Sequence, residues 1–525
     1  MNNHSDSKIV DNTDENKNLL NLEVKNDQSP DNSNFNIINS SLPLNNEKVF
    51  IHDTDHKFLD IDIELTYFGS LPDVLKIFLI GAMFYLQYGM QQFILLTFLN
   101  KKYSNANMST GIGIVYNQIT LVFYSLFFSI NVVYTLLGSN DFGASKHYLF
   151  GLQMNRTKFY AYSITLVVGI IYISLYDYIG NILQLNPTEK KYSFIFICFR
   201  LIAIFFDYEF FYNLTYLQII GKGLIGFCVL LPSIFLFPIF CYIFINIGDY
   251  EIIGAGLACL FFNISLAIIF WLLIFILGRN EEHIFFFNKD TFTDFLYIVY
   301  YTTPIFFLNL LDNFNDEILG IFAKYQPKQE QTAFVIGFSV YRILAALGNT
   351  SQNTSNVILS ILMGEGLHER ATQMGKYMLI TYNSIAVIIV IPVLLLKTQI
   401  LSLMSDDQKV LDIAYSLYYF SLLVVFLDLN SSTLYGYVVS SGRFYLALFI
   451  FIGYSCVNIG VVSLLLFVFN FGVIGIVIGF TIAKGSMLIT YIFVYIFVID
   501  WKESAELIKK EIDNEATATP HIHLE

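Results

Sequence analysis

The sequence has few charged residues. Asp, Glu, Lys and Arg make up 14% of its 525 residues, whereas 55% are hydrophobic and 17% are aromatic, and the mean hydropathy is +0.59. A membrane-spanning helix needs about 20 mostly apolar residues, and from residue 74 onward such segments follow one another with short polar loops between them. The shortage of charge excludes an ordinary soluble domain and predicts a multi-pass integral membrane protein.

The sequence has few cysteines and histidines, and it has no basic patch. The five cysteines all fall inside apolar segments, which indicates neither a disulfide framework nor a metal site, and we expect no cofactor. The net charge is −13 without a basic patch, which excludes nucleic acid as a partner. The eight histidines lie in tails or loops. We therefore expect carboxylates to be the groups that bind and release protons inside the membrane.

The apolar segments predict an all-α fold with twelve transmembrane helices in two pseudo-symmetric six-helix lobes. Helices are expected because a spanning segment must satisfy its backbone hydrogen bonds internally, and these runs lack the alternation of barrel strands. The third span is predicted at 159–184. The predicted domains are a disordered cytoplasmic N-terminal tail, an N-lobe, a C-lobe and a cytoplasmic C-terminal tail, at 1–72, 73–285, 286–500 and 501–525.

One spacing in residue number recurs along the chain. It pairs glycines at matching points of the two halves: Gly143 with Gly364, Gly221 with Gly442, and Gly254 with Gly475. The same spacing, which we call the repeat interval, pairs Asp207 with Asp428, and Gln91 with Asp312. With six spans per half, such a repeat is related by an axis along the membrane normal. The halves are predicted to share a scaffold but to differ in charge.

Several short motifs occur in a characteristic order. They are TLLGSNDFGA (135–144), NRT (155–157), YLQIIGK (216–222), GAGLA (254–258), LDNFNDE (311–317), SSGR (440–443) and IDWKESA (499–505). Together with the twelve-span context, they resemble the multidrug and toxic compound extrusion (MATE) family, in its eukaryotic form, over nearly all of residues 72–505. This resemblance implies a transporter and not an enzyme.

The resemblance also implies a mechanism and site residues. Members of the family export organic, mostly cationic compounds in exchange for protons or, in some branches, sodium, by alternating access between two lobes; we expect protons here. Asp312 and Glu317 stand at the two acidic positions of the span 7 motif, and Asp428 resembles the family's span 10 aspartate. The sequence departs from bacterial relatives in span 1, where Gln87, Gln91 and Gln92 stand and no acid occurs. The coupling chemistry is therefore expected in the C-lobe.

The residues of span 7 support this expectation independently. Asn309, Asp312, Asn313, Asp316 and Glu317 follow helical spacing and share one face. A charged side chain at the bilayer centre costs on the order of 3 kcal/mol, so this face must turn away from lipid. Neighbouring buried acids repel one another, and we expect at least one to hold a proton. The proposed proton-coupling and substrate-binding residues are Asp312, Glu317, Asp316 and Asp428, and the candidate cavity-lining residues are Asn313, Asn309, Gln91, Asn117, Asn349, Asn353 and Lys484.

Basic residues inside the spans could pair with these acids. Lys484 could neutralise Asp428 or a span 7 acid when substrate is absent, in a salt bridge that an incoming cation displaces. Asp207 and Glu209 are interpreted as structural. Arg200 precedes Asp207 on the same helix face, and we expect their separation along the helix to prevent direct contact.

Three alternatives remain open. A lipid or glycolipid flippase of the same superfamily would use the same scaffold, but would favour a basic cavity. A non-transporting receptor or channel is the second alternative, and a purely structural network of buried polar groups is the third.

Arginines in the loops after spans 2, 6, 8 and 10 place that face, and both termini, in the cytoplasm. The plasma membrane and vacuolar or other internal membranes are both compatible with the sequence. We expect a monomer whose partners are the lipid bilayer, small organic cations and protons.

Overall fold

The computed structural model describes residues 71–103, 106–183, 185–277, 287–293, 295–402 and 407–518. Nearly all of the predicted N-terminal tail lies outside these residues. The described part of the chain is helical and contains no strand. The all-α class predicted from the apolar segments is confirmed.

Seventeen α-helices form the described part of the chain, with bounds as follows: α1 Leu71–Tyr103, α2 Ala106–Gln118, α3 Ser125–Gly143, α4 His147–Ser174, α5 Tyr176–Ile182, α6 Pro187–Ile219, α7 Gly223–Cys241, α8 Glu251–Leu277, α9 Phe295–Ala323, α10 Lys328–Leu344, α11 Ala346–Gly364, α12 His368–Leu395, α13 Lys397–Ser402, α14 Gln408–Ser440, α15 Phe444–Ser463, α16 Gly472–Phe497 and α17 Trp501–Ala518. Short π-helical segments, Ile119–Tyr124, Tyr242–Ile247 and Leu464–Val468, continue α2, α7 and α15.

Twelve long helical segments can be traced in this part of the chain when α2 is joined with α3, and α10 with α11. Nine of the helical segments searched there are long and apolar enough to cross a membrane. The multi-pass membrane protein is confirmed, while the number of twelve spans stays a prediction. One boundary was wrong: the third long helix begins at His147, twelve residues before the predicted start at 159. The helix ends at Ser174, but α5 follows after one residue and ends at Ile182, close to the predicted end at 184.

Local sequence explains where several helices begin and end. Asn186 and Glu189 form a reciprocal capping box, and Pro187 occupies the first turn of α6, where a missing N–H costs nothing. Gly221 and Gly442 lie after α6 and α14 with φ of 74° and 81°, a conformation that favours glycine. The repeat interval therefore pairs two helix ends of the same geometry.

Helix irregularities follow the same interval. The π-helical segment Tyr242–Ile247 of the fifth long helix corresponds to Leu464–Val468 of the eleventh. The segment Ile119–Tyr124, between α2 and α3, corresponds to the break at Ala345, between α10 and α11. Because such irregularities are uncommon in α-helices and often mark functional positions, their recurrence supports the repeat.

The long helices pack in two groups that meet along few elements. In the first group, α6 packs against α8 and α1 against α7; in the second, α14 packs against α10, α11 and α16, and α9 packs against α15. The groups touch where α3 contacts α9 and α11, and where α1 contacts α11. The predicted lobe boundaries at 285 and 500 are compatible with this packing and stay a prediction.

Candidate functional site

Two carboxylates and one ammonium meet inside the second group of helices. Lys484 Nζ of α16 donates a 2.6 Å hydrogen bond to Asp428 Oδ1 of α14, and it lies 3.8 Å from Asp312 Oδ1 of α9. The side chains of Lys484 and Asp428 are 4% and 10% exposed, whereas that of Asp312 is 46% exposed. We call Asp312, Asp428 and Lys484 the C-terminal charge cluster.

Aromatic rings and a glycine surround this cluster. Lys484 Nζ lies 5.1 Å from the ring centroid of Tyr454 and 5.7 Å from that of Phe480, distances at which the ring faces attract a cation. A Cβ atom on Gly348 would lie 2.8 Å from Asp428 Oδ2. Glycine at 348 therefore lets α11 approach the carboxylate.

Two asparagines on the polar face of α9 connect this helix to α3. Asn309 and Asn313 each donate a 2.8 Å hydrogen bond to α3, the first to Ser129 Oγ and the second to Ser125 Oγ. These two predicted lining residues connect the two groups of helices. Their role as lining residues stays a prediction.

The other acids of α9 lie beyond the cluster. Asp316 is half-buried and lies one turn beyond Asp312, within electrostatic range of both Asp312 and Lys484. Glu317 is half-buried, and the ammonium of Lys484 contacts Asp312 in preference to it. Among the proposed acids, Asp312 and Asp428 are therefore the two that share Lys484, and Asp316 is their neighbour.

The remaining predicted lining residues are dispersed. Gln91 is buried and lines a small cavity in the first group of helices, while Asn117 is exposed on α2. Asn349 is exposed on α11, and Asn353 Nδ2 donates a 3.3 Å hydrogen bond to Gln218 Oε1 of α6. These four amides do not join the C-terminal charge cluster.

A second set of charged residues lies in the first group. Arg200 NH1 lies 3.4 Å from Asp207 Oδ2 on the same helix, and Tyr124 OH donates a 2.6 Å hydrogen bond to that oxygen. Arg200 NH2 donates to Tyr124 OH at 2.5 Å. The expectation that Arg200 and Asp207 do not touch was wrong, because the long arginine side chain spans two helical turns. We call Arg200, Asp207 and Tyr124 the N-terminal charge cluster.

Glu209, on the same helix, pairs with a lysine. Lys158 Nζ of α4 donates to Glu209 Oε2 at 2.8 Å and to Asn213 Oδ1 at 3.0 Å. Tyr162 OH also donates to Glu209. These contacts give Glu209 a packing role between α4 and α6.

Sequence reasoning missed the tyrosines of both clusters. The ring centroid of Tyr454 lies 5.1 Å from Lys484 Nζ, and that of Tyr124 lies 5.7 Å from the guanidinium carbon of Arg200. With 35 Tyr and 52 Phe in the chain, no signal distinguished these two. Within the described ranges, no group of three or more His, Cys, Asp or Glu side chains is placed to hold a metal ion.

Comparison with known proteins supports the resemblance found in the sequence. Residues 304–464 match the MatE family model. A comparison with curated proteins gives no match. Three solved structures illustrate the similarity of fold.

A crystal structure of AtDTX14, a eukaryotic MATE transporter, has a TM-score of 0.74 at 16% identity, covering 85% of this chain and 100% of that one. A MOP superfamily transporter from Pyrococcus furiosus, described as having a binding pocket of reverse polarity, has a TM-score of 0.71 at 12% identity, covering 83% and 96%. A multidrug resistance MATE transporter in an outward-facing conformation has a TM-score of 0.68 at 13% identity, covering 84% and 99%.

The described part of the chain therefore has the fold of MATE transporters, which are multi-pass membrane proteins. The MatE match lies in the second group of helices and contains Asp312, Asp316, Glu317 and Asp428. The family model and the fold agree, and together they support a MATE family transporter.

Proposed function

We propose that the protein is a secondary active antiporter, which exports organic cations in exchange for protons through the C-terminal charge cluster. The observation that carries this proposal is the unequal sharing of Lys484. Its ammonium lies 2.6 Å from Asp428 but 3.8 Å from Asp312. Asp428 is thus paired with Lys484 at close range, whereas Asp312 is paired with it only loosely.

The charge count of the cluster fits an exchange of one positive charge. Two ionised carboxylates and one ammonium sum to −1, and the excess charge resides on the more exposed Asp312. A proton or an organic cation can cancel it, but the two compete for the same carboxylate. Competition for one group is what couples two opposed flows.

Lys484 acts in this proposal as an internal cation. When neither proton nor substrate is bound, its ammonium partly balances Asp312 from 3.8 Å. A bound organic cation replaces Lys484 as the partner of Asp312, and Lys484 then pairs with Asp428 alone. Asp316, one turn along α9, adds negative potential that attracts cations toward the cluster.

The surroundings also suit an organic cation. The rings of Tyr454 and Phe480 lie beside the cluster, and ring faces stabilise cations that have lost part of their hydration. A flippase of the same superfamily would need positive charge free to hold a phosphate group. Here Lys484 is already bound to Asp428, so the geometry favours cation export.

Efflux from proteoliposomes tests the proposal. A fluorescent organic cation is loaded, and its release is followed after a pH gradient or a sodium gradient is imposed. We expect the pH gradient to drive release in the wild-type protein, and Asp312→Asn to abolish the pH dependence because a neutral amide cannot exchange a proton for a cation.

Asp177→Asn is the matched control, since Asp177 has a 93% exposed side chain paired with Lys190 outside the cluster. Asp312→Asn with the wild-type pH dependence would overturn the assignment of the switch. Release driven by sodium alone would overturn the assignment of protons.

A further inference from the structure

Two glycines bring the two groups of helices into backbone contact at one end of the bundle. A Cβ atom added to Gly143, at the end of α3, would lie 2.1 Å from Ile361 O, and one added to Gly364, at the end of α11, would lie 2.1 Å from Asn140 O. No side chain fits at such a distance. We call this contact the glycine crossing.

The crossing obeys the internal repeat on both of its sides. The repeat interval separates Gly143 from Gly364, and it also separates their contact partners, Asn140 and Ile361. The pseudo-symmetry axis therefore passes close to this contact, where each helix touches the equivalent position of the other.

Next to the crossing the helices are tightly sealed. Ser139 on α3 and Ser360 on α11, which the repeat interval also pairs, are both fully buried. Neither hydroxyl has a hydrogen-bond partner among the described residues. Buried polar groups are normally hydrogen-bonded. The two hydroxyls would gain access to hydrogen-bond partners in an arrangement in which α3 and α11 lie farther apart.

The C-terminal helix α17 crosses the same end and binds both groups. Glu515 Oε1 accepts hydrogen bonds from Arg156 NH1 at 2.5 Å and from Gln153 Nε2 at 2.8 Å, both on α4. On the other side, Tyr301 OH of α9 donates to Glu511 Oε2 at 3.0 Å. The helix also packs against α3, α11 and α12.

Further contacts hold α17 and its partner residues in place. Trp501, at the start of α17, lies against the rings of Tyr437 and Tyr495. Arg156 is 2% exposed and also donates to Asp290 O at 3.2 Å and to Thr293 Oγ1 at 2.8 Å, just before α9. The buried Glu515–Arg156 pair therefore joins α17, the first group and the segment that leads into the second.

This end is remote from the charge cluster. Arg156 contacts Thr293, next to the start of α9, whereas Asp312 lies more than half-way along that helix. The separation along the helix axis corresponds to about 25 Å at the usual rise of about 1.5 Å per residue. In the described conformation the cluster keeps one partly exposed carboxylate, that of Asp312 at 46%, whereas the serines beside the crossing, Ser139 and Ser360, are fully buried.

We propose that the glycine crossing is the gate at the α17 end and that α17 is its clasp, held by Glu515. The gate opens when α3 and α11 separate, and this separation requires the bonds from Glu515 to Arg156 and Gln153 to break. We infer that this opening serves alternating access, and this part of the proposal rests on the proposed transport function.

The test measures opening directly in the full-length, detergent-purified protein. Ser139→Cys is introduced after the five native cysteines are replaced, and its labelling by a soluble thiol reagent is timed. We expect slow labelling in this background and a several-fold faster rate when Glu515→Ala is added. Glu506→Ala is the matched control, because Glu506 is an exposed residue of the same helix, and it should leave the rate unchanged.

Equal rates in the Glu515→Ala and Glu506→Ala proteins would overturn the clasp. Gly143→Ala provides a second reading, since an added methyl group prevents the crossing from closing and should raise labelling with α17 intact. If Gly143→Ala labels as slowly as its parent, the crossing is not the gate. Neither readout depends on proton-driven efflux, so failure of the proposed function is seen separately.

Discussion

The two charge clusters occupy related places in the repeat but are built differently. The repeat interval pairs Asp207 with Asp428, and each of them pairs with a buried cation. In the N-terminal charge cluster the cation, Arg200, comes from the same helix as its aspartate, whereas in the C-terminal charge cluster Lys484 comes from another helix. The first pairing moves with one helix, and the second depends on how two helices are arranged.

The clusters also differ in charge balance and access. Arg200 and Asp207 are one base and one acid, with side chains 1% and 13% exposed. The C-terminal charge cluster adds a second acid, Asp312, at 46% exposure, where the repeat places the neutral Gln91 in the other half. Equivalent positions of the scaffold therefore hold different sites in the two halves. The N-terminal charge cluster is a buried pair without net charge, and the C-terminal charge cluster has one excess acid that is partly exposed.

The largest effect is expected from breaking the closed pair. Arg200→Gln leaves Asp207 buried without its cation, and loss of one partner of a buried ion pair typically costs about 3–5 kcal/mol. We expect a strong loss of thermal stability and of correctly folded protein, measured by unfolding of the purified protein and by size exclusion.

The double variant Arg200→Gln, Asp207→Asn is the control, because it removes both charges and should recover most of the stability. A stable Arg200→Gln protein that has lost proton-driven efflux would break the comparison. It would place a functional group in the N-terminal charge cluster.

Lys484→Gln should destabilise the protein less than Arg200→Gln. It leaves Asp428 unpaired, but the side chain of the neighbouring Asp312 is 46% exposed, and one of the two acids can take up a proton. The expected result is a moderate loss of stability with a large change in the pH dependence of efflux.

Lys484→Arg keeps the charge and is the matched control for this variant. If Lys484→Gln exports the cation with the wild-type pH dependence, Lys484 is a structural residue and not an internal cation.

The sequence predicted the C-terminal charge cluster better than the N-terminal one. Helical spacing placed Asp312 and Asp316 on one face of α9, and the repeat interval identified Asp428 as the partner of Asp207. Lys484 was expected to meet Asp428 or a span 7 acid, and it lies near both Asp428 and Asp312. Their proximity could be predicted because intramembrane charges are few and pair with one another, whereas the roles of these residues in transport stay predictions.

One contact and one helix boundary could not be predicted, because each depends on side-chain packing that the sequence does not reveal. The reach of Arg200 to Asp207 depends on its rotamer and on Tyr124, which bridges from another element. The start of α4 was misplaced because polar residues such as Gln153 and Asn155 are buried there against other helices. Hydropathy reports lipid exposure, and it cannot detect a helix end that is enclosed by protein.

An acid transferred between the halves would sharpen the comparison. Gln91→Asp in an Asp312→Asn background places the acid at the repeat-equivalent position, in the small cavity that Gln91 and Asp207 line, where Gln91 itself is buried. We expect proton-driven efflux to stay absent, because a cation cannot reach that position as it reaches Asp312. The measurement is the pH dependence of efflux with the Asp312→Asn protein as reference, and restored dependence would mean that charge alone, without access, defines the site.

The smallest effect is expected where the two groups of helices touch beside the cluster. Asn313→Ala removes the 2.8 Å hydrogen bond to Ser125 Oγ, and hydrogen bonds between membrane helices contribute only about 0.6 kcal/mol on average. We therefore expect a small decrease in thermal stability. Efflux should keep its pH dependence, because the bond carries no charge and does not involve Lys484. The double variant Asn313→Ala, Ser125→Ala should destabilise the protein more than the single one, because Ser125 Oγ also donates a 2.7 Å hydrogen bond to Leu121 O. A full loss of coupling in Asn313→Ala would make this contact part of the switch.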